Sequence, residues 1–262
     1  MSIEPTTAIK TGLALWEQRR LLAAPLQKLR RRLGRGKMVI AVFGPGGVGK
    51  TTLGTMLDEN FDPQVKPETY KESLEPETYW LKTNPARSVI VAPGQEHRIG
   101  RYWPAIYTQL SQAKTAVVIH VAAHGYHAFN ESVALTGSVA DYAAGRRKRE
   151  LEILMDLAAY LEKTTIPLKM LTLVTKQDLW WNEREDVKRH YEGGEYAAQI
   201  ARVRTAKGEQ HFSHEFGYVS LCLNNLQAGD GALVAATTAG YDDNLRFSNQ
   251  QRVFEIIEGF AR

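Results

Sequence analysis

Six apolar residues, Met38 to Phe43, run directly into Gly44-Pro45-Gly46-Gly47-Val48-Gly49-Lys50-Thr51, and helical spacing resumes from Thr51 to Glu59. This strand, glycine loop and helix succession constrains the fold more than any other feature of the chain. The glycines let the backbone wrap closely enough for its N–H groups to converge on a phosphate. The helix that follows turns its positive end to the same point. In the spacing G-x-x-x-x-G-K-[ST], the lysine reaches the β- and γ-phosphates and the hydroxyl beside it can ligate Mg²⁺. Lys50 and Thr51 hold those places, and Gly44, Gly46, Gly47, Val48, Gly49 and Thr52 complete the expected phosphate-binding set.

Downstream, apolar β-branched runs alternate with helical patterns. Glu77–Lys82 and Arg87–Val91 read as a hairpin across Thr83-Asn84-Pro85, Thr115–Ala122 and Leu168–Val174 as buried strands, and Tyr218–Leu223 as a further strand. Tyr102–Gln112, 141–162, 183–206 and Leu245–Phe260 carry helical spacing. The charged stretch 62–76 contains three prolines and reads as a loop, and 225–243 as an irregular insertion or hairpin around Gly229-Asp230-Gly231. The expected fold is α/β: a mostly parallel sheet with one antiparallel edge strand and helices on both faces. The expected units are a helical leader, 1–37, and a nucleotide-binding domain with insertions, 38–262.

The loop alone leaves kinases, ATPases and GTPases open. Thr175-Lys176-Gln177-Asp178 follows the strand that ends at Val174 and narrows the field. A carboxylate there can accept from guanine N1–H and the N2 amino group together. Adenine offers an acceptor at N1 and no N2 amino group, which leaves a buried carboxylate unsatisfied. The Lys176 stem can lie along the base. With its [NT]-K-x-D turn the chain resembles the Ras-like small GTPases. That resemblance implies GTP and GDP as ligands, with Mg²⁺, and implies Thr175, Lys176 and Asp178 as guanine contacts.

The resemblance extends to Pro93-Gly94-Gln95-Glu96, where Ras-like proteins read D-x-x-G-Q-E. It implies that the Gly94 amide senses the γ-phosphate, that Gln95 is catalytic by orienting the attacking water, and that Lys50 is catalytic by stabilising the charge that develops. Val91 is a departure, standing in place of the aspartate that holds Mg²⁺ through water. This loss and the Pro-Gly-Gln turn are similar to the bacterial gliding-motility small GTPases. Thr69 is the candidate switch threonine for Mg²⁺, 19 residues after Lys50, with Thr78 as its competitor inside a strand. Cys222-Leu223-Asn224 falls at the place of the S-A-K loop, whose amides touch the guanine oxygen; core packing is the equal alternative for Cys222. The implied activity is slow GTP hydrolysis by a switch whose loops, 62–76 and 94–101, present themselves to a protein effector or regulator. A catalytically silent GTP- or GDP-binding module and an ATP-using enzyme are the alternatives.

Charge separates the leader from the body. The formal net charge is +4, yet residues 19–37 hold eight basic residues and no acid, leaving a net −3 over residues 38–262. Such a body gives no footprint for a specific nucleic acid. The leader's leucine face and arginines (residues 7–37) suit intramolecular or partner packing, or reversible contact with an acidic membrane. A single cysteine excludes an internal disulfide and a cysteine-rich zinc site, and no run approaches the ~18 apolar residues of a membrane span. The expected location is the cytoplasm. His120, His124 and His127 have the spacing of a helical face but begin within a strand, so a metal site is disfavoured. Trp180 and Trp181 either cap the base site, form a partner surface or pack in the core. Arg98 and Arg101 read as solvated arginines rather than an internal arginine finger, and Arg146–Arg149 as the exposed start of a helix.

Overall fold

The computed structural model describes residues 38–58, 60–62, 73–81, 87–128, 138–221, 223, 225–228, 231–241 and 246–261. The leader, Thr69, Cys222, Asn224 and most of the 62–76 loop lie outside these residues. Six strands form one sheet: β1 (Met38–Phe43), β2 (Glu77–Trp80), β3 (Ser88–Val91), β4 (Thr115–Ala122), β5 (Leu168–Val174) and β6 (Phe212–Tyr218). Their spatial order is β2-β3-β1-β4-β5-β6. Only the β2–β3 pair is antiparallel; the other four pairs are parallel. The expected edge strand is therefore β2.

The continuous apolar runs of β1, β4 and β5 follow from burial on both faces, because successive side chains point to opposite sides. Ile40 and Val42 join Leu53 and Met56 of α1 (Lys50–Leu57) and Val253 and Ile257 of α7 (Arg246–Ala261). Ala41 and Phe43 join Trp103 and Ile106 of α2 (Glu96–Ser111) and Ile153 and Leu157 of α3 (Val139–Leu161) on the other face. The strand order and the βαβ crossovers define a Ras-like P-loop fold, with the loop at the carboxyl end of the central β1.

Two expectations are corrected. First, α2 begins at Glu96, six residues before the sequence pattern predicts. Gln95 is extended, and its carbonyl accepts from the amides of Arg98 and Ile99. Pro104 lies inside this helix and deprives the Gly100 carbonyl of its partner. Both residues are exposed, so the carbonyl is not shut away from solvent and the helix continues through them. Second, the final sheet strand is Phe212–Tyr218, not Tyr218–Leu223. It is an edge strand with polar alternate positions, which dilutes its apolar signal. Val219, Ser220 and Leu221 instead leave the sheet and are buried beside the Thr175–Asp178 turn. The helical stretch expected over 183–206 forms as α5 (Arg184–Glu192) and α6 (Gly194–Lys207), and is preceded by α4 (Gln177–Trp180) and a 3₁₀ turn (Trp181–Glu183). The expected hairpin near Gly229-Asp230-Gly231 forms, pairing β7 (Leu226–Ala228) with β8 (Gly231–Val234).

Candidate functional site

The loop from Gly44 to Gly49 connects β1 to α1, the α1 N-terminus facing its concavity. Gly47 and Gly49 have φ of 78° and 93°, a region that favours glycine. A Cβ on Gly47 would lie 2.0 Å from the Ala128 carbonyl oxygen, so the segment after β4 is pressed against the loop. The Ala128 amide donates to the Gly47 carbonyl at 3.0 Å. Lys50 is buried, and its Nζ donates to the Pro45 carbonyl at 2.7 Å. Burial lowers its pKa to about 7, against the opposing pull of the Glu77 carboxylate. Thr52 is half-buried in the first turn of α1.

Gly94 approaches the loop from the end of β3. A Cβ there would lie 2.5 Å from the Gly44 carbonyl oxygen and 2.4 Å from Lys50 Nζ. Only glycine permits this contact. Gln95 follows at the rim of a cavity of ≈ 620 Å³, whose other walls include Gly46, His127 and Arg146. The turn is held by Trp103, whose Nε1 donates to the Pro93 carbonyl at 3.1 Å. Arg98 is no solvated arginine: its Nη1 donates to the Ser73 carbonyl at 2.8 Å and ties α2 to the preceding loop. Arg101 is exposed. Arg146–Arg149 lie beyond the first turn of α3, which starts at Val139.

Val91 is 1% exposed and packs against α1, where a Cβ on Gly54 would come within 2.7 Å of its Cγ2. It offers nothing to a cation. Thr51 Oγ1 and Ser73 Oγ lie 2.9 Å apart. The two hydroxyls are hydrogen-bonded to one another, and their spacing is also that of adjacent corners of the octahedron that Mg²⁺ demands. Thr78 is exposed on β2 and is paired with Ile90, away from this point.

The Thr175–Asp178 turn is joined to the loop across the sheet. Thr175 Oγ1 lies 2.7 Å from the Val48 carbonyl and 3.0 Å from that of Ala122. Lys176 takes the left-handed conformation, with φ 59°, which reverses the chain at the end of β5. Asp178 is 2% exposed. Ser220 donates to its Oδ1 at 2.6 Å and accepts from its amide at 2.8 Å. The serine thus holds the carboxylate in place. It lies two residues before Cys222-Leu223-Asn224; of these only Leu223 is described, and it is half-buried. The chain after β8 closes the turn from outside: Thr237 donates its amide to the Asp178 carbonyl at 2.9 Å. Trp180 is a core residue whose Nε1 donates to the Thr175 carbonyl at 2.7 Å, while Trp181 is half-buried and stacked by Arg184.

Sequence reading missed the group that holds the β4 end. Glu150 of α3 is fully buried. It accepts from the amides of Ala123 and Gly125 at 2.9 and 3.0 Å, from Tyr191 at 2.6 Å, and meets His127 Nε2 at 2.7 Å. Burial works against its charge, but these bonds hold its pKa below the usual carboxylate range. Burial also lowers the pKa of His127, so the pair is a hydrogen bond of a neutral imidazole near pH 7. His120 turns away to the hydroxyl of Tyr196. Spacing predicts none of this, because the carboxylate arrives from another helix.

No protein-family profile matches the chain, and no curated protein matches it. Solved structures of related architecture do. A mammalian SRP receptor structure matches with a TM-score of 0.42 at 17% identity, covering 70% of this chain and 91% of the other. The GDP complex of an ADP-ribosylation-factor-like protein, the small COPII coat GTPase SAR1 from Encephalitozoon cuniculi, scores 0.40 at 14% identity, covering 94% and 92%. Toc33 from Arabidopsis thaliana scores 0.39 at 12%, covering 86% and 85%. At such scores the fold rests on the strand order and the loop themselves. Among the described residues no helix is long and apolar enough to cross a membrane.

Proposed function

We propose that this chain is a guanine-nucleotide switch that hydrolyses GTP to GDP slowly. The observation that carries the reading is the buried Asp178 carboxylate, fixed by Ser220 on a turn that Thr175 bonds directly to the phosphate loop. A base-reading acid and a phosphate cradle are thereby set at a fixed separation. Gly44, Gly46, Gly47, Val48, Gly49 and Thr52 surround the phosphates with backbone and hydroxyl donors, and Lys50 leaves the Pro45 carbonyl to pair with them. Lys176, and the backbone at Leu223, complete the base contacts, with Cys222 and Asn224 in the same segment. Thr51 and a switch hydroxyl would hold Mg²⁺, which neutralises charge on the β- and γ-phosphates. Gln95, at the cavity rim beside Gly46, orients water for attack on the γ-phosphate, and the Gly94 amide senses that group.

Partner binding is assigned to the loop before β2 and the start of α2, which Arg98 links through Ser73. A γ-phosphate that draws in Gly94 shifts both segments together. The basic leader offers a further protein or membrane-surface contact, reversible in either case. No observation favours a specific nucleic acid.

A second reading has one observation behind it. Val91 removes a metal-associated carboxylate, which favours a module that keeps its nucleotide without turning it over. Two measurements decide. Nucleotide released by denaturing the purified protein should be GDP or GTP, and Asp178→Asn should abolish the preference over adenine nucleotides; tighter ATP binding, unchanged in that variant, refutes the base assignment. Single-turnover hydrolysis should exceed the buffer rate and fall in Gln95→Ala. Bound GTP that decays no faster than in buffer leaves the silent module standing.

A further inference from the structure

The loss at Val91 has a structural counterpart one strand away. Glu77 is the antiparallel partner of Val91. Directly opposed residues point to the same face, with Cβ atoms about 4.5–5.5 Å apart. Here that face is the one covered by α1: a Cβ on Gly54 would collide with both Val91 and Tyr79. Glu77 has one methylene more than aspartate, the extra length that a carboxylate on the outer strand needs to stand in for one at Val91. Its carboxylate is held by the hydroxyl of Tyr79, two residues along on the same face. It is half-buried, and close enough to Lys50 to favour the ammonium form there.

Ser73 precedes it by four residues. Ligands at 2.0–2.1 Å from Mg²⁺ and at right angles to each other are about 2.9 Å apart. Thr51 Oγ1 and Ser73 Oγ, hydrogen-bonded to one another, have that separation, 2.9 Å. The Ser73 backbone is fixed by Arg98 from the helix that follows Gln95. A hydroxyl from the loop before β2 is thus delivered to the Thr51 hydroxyl and mechanically joined to the Gly94–Gln95 turn.

We propose that Ser73 and Glu77 complete the magnesium site with Thr51: Ser73 supplies the switch hydroxyl assigned by sequence spacing to Thr69, and Glu77 supplies the carboxylate lost at Val91. The proposal rests on the guanine-nucleotide reading. It further makes Arg98 a positioning residue that couples Ser73 to the γ-phosphate-sensing turn.

The test is magnesium-dependent retention of fluorescent GDP and of a non-hydrolysable fluorescent GTP analogue, titrated with Mg²⁺ from an EDTA baseline. Ser73→Ala should raise the Mg²⁺ midpoint with the GTP analogue about tenfold and leave the GDP midpoint unchanged, and Glu77→Gln should raise both by about tenfold. Thr69→Ala should change neither. Affinities in EDTA, where the metal plays no part, should match the wild type and so report an intact pocket. The proposal is overturned if Ser73→Ala leaves the GTP midpoint within twofold, if Thr69→Ala raises it instead, or if Glu77→Gln leaves both midpoints in place. Wild-type protein that holds no guanine nucleotide with or without Mg²⁺ overturns the nucleotide reading itself, and this proposal with it.

Discussion

Removing the Glu150 side chain should be among the most damaging single changes in the fold. Four donors converge on this carboxylate: the amides of Ala123 and Gly125, the Tyr191 hydroxyl and the His127 ring, all within 3.0 Å. Each buried donor left unmade costs about 1–3 kcal/mol. Relaxation, and water entering from the cavity that His127 lines, reduce the sum, so Glu150→Ala should cost about 3–5 kcal/mol, the scale of a broken buried pair. That is a large part of the roughly 5–15 kcal/mol that keeps a domain folded. Glu150→Gln keeps the shape and one acceptor oxygen, and should cost about 1–3 kcal/mol. Urea unfolding of both variants, with unchanged slope, reads these differences. Acid adds a second signature. The folded-state pKa lies below the ordinary 4.5, so the carboxylate contributes stability above about 4.5 that is lost as pH falls through the folded value. The Gln variant should therefore lose less stability than the wild type on acidification. The network also sets Ala128 against Gly47, so nucleotide should bind more weakly in Glu150→Ala than in Glu150→Gln. An alanine variant within about 1 kcal/mol of the wild type would refute the reasoning.

Lys50 titrates near 7 in the nucleotide-free protein, and phosphates bind its charged form. Binding above that pH takes up a proton, so Kd should rise with pH, by up to about tenfold per unit; calorimetry showing flat affinity from about pH 7 to 9 would count against this. The same shift has the opposite sign for folding: between about 7 and the ordinary 10.5 the unfolded chain binds more protons, so nucleotide-free stability should rise across that window. Gly94→Ala places a methyl 2.5 Å from the Gly44 carbonyl oxygen; competition binding should show GTP affinity falling well below that of the wild type while GDP affinity changes only a few-fold. Thr175→Val removes the donor shared by the Val48 and Ala122 carbonyls; it should cost about 1–3 kcal/mol in urea unfolding and weaken nucleotide binding, whereas an unchanged midpoint would detach the base turn from the loop.

The sequence by itself determined the phosphate loop, the apolar strands around it and the T-K-x-D turn. These are local: strand, glycine turn and helix start are written within about fifteen neighbouring residues, and each has a residue type that the backbone or the chemistry demands. It also named Val91 as a loss. Where local signals were diluted it failed, as at the polar edge strand Phe212–Tyr218 and at α2, where Gly100 and Pro104 mask a helix start that burial of Ile99 and Trp103 supports. Only the tertiary structure decided which distant groups meet. Ser220 reaches Asp178 from 42 residues away, Ser73 reaches Thr51 from 22, and Thr175 reaches Val48 from 127. The cross-strand register, not the linear spacing, sets Glu77 beside Val91. A hydroxyl or carboxylate carries no mark of its partner in sequence; it acquires one when sheet register and helix packing remove water and leave a single donor or acceptor within reach.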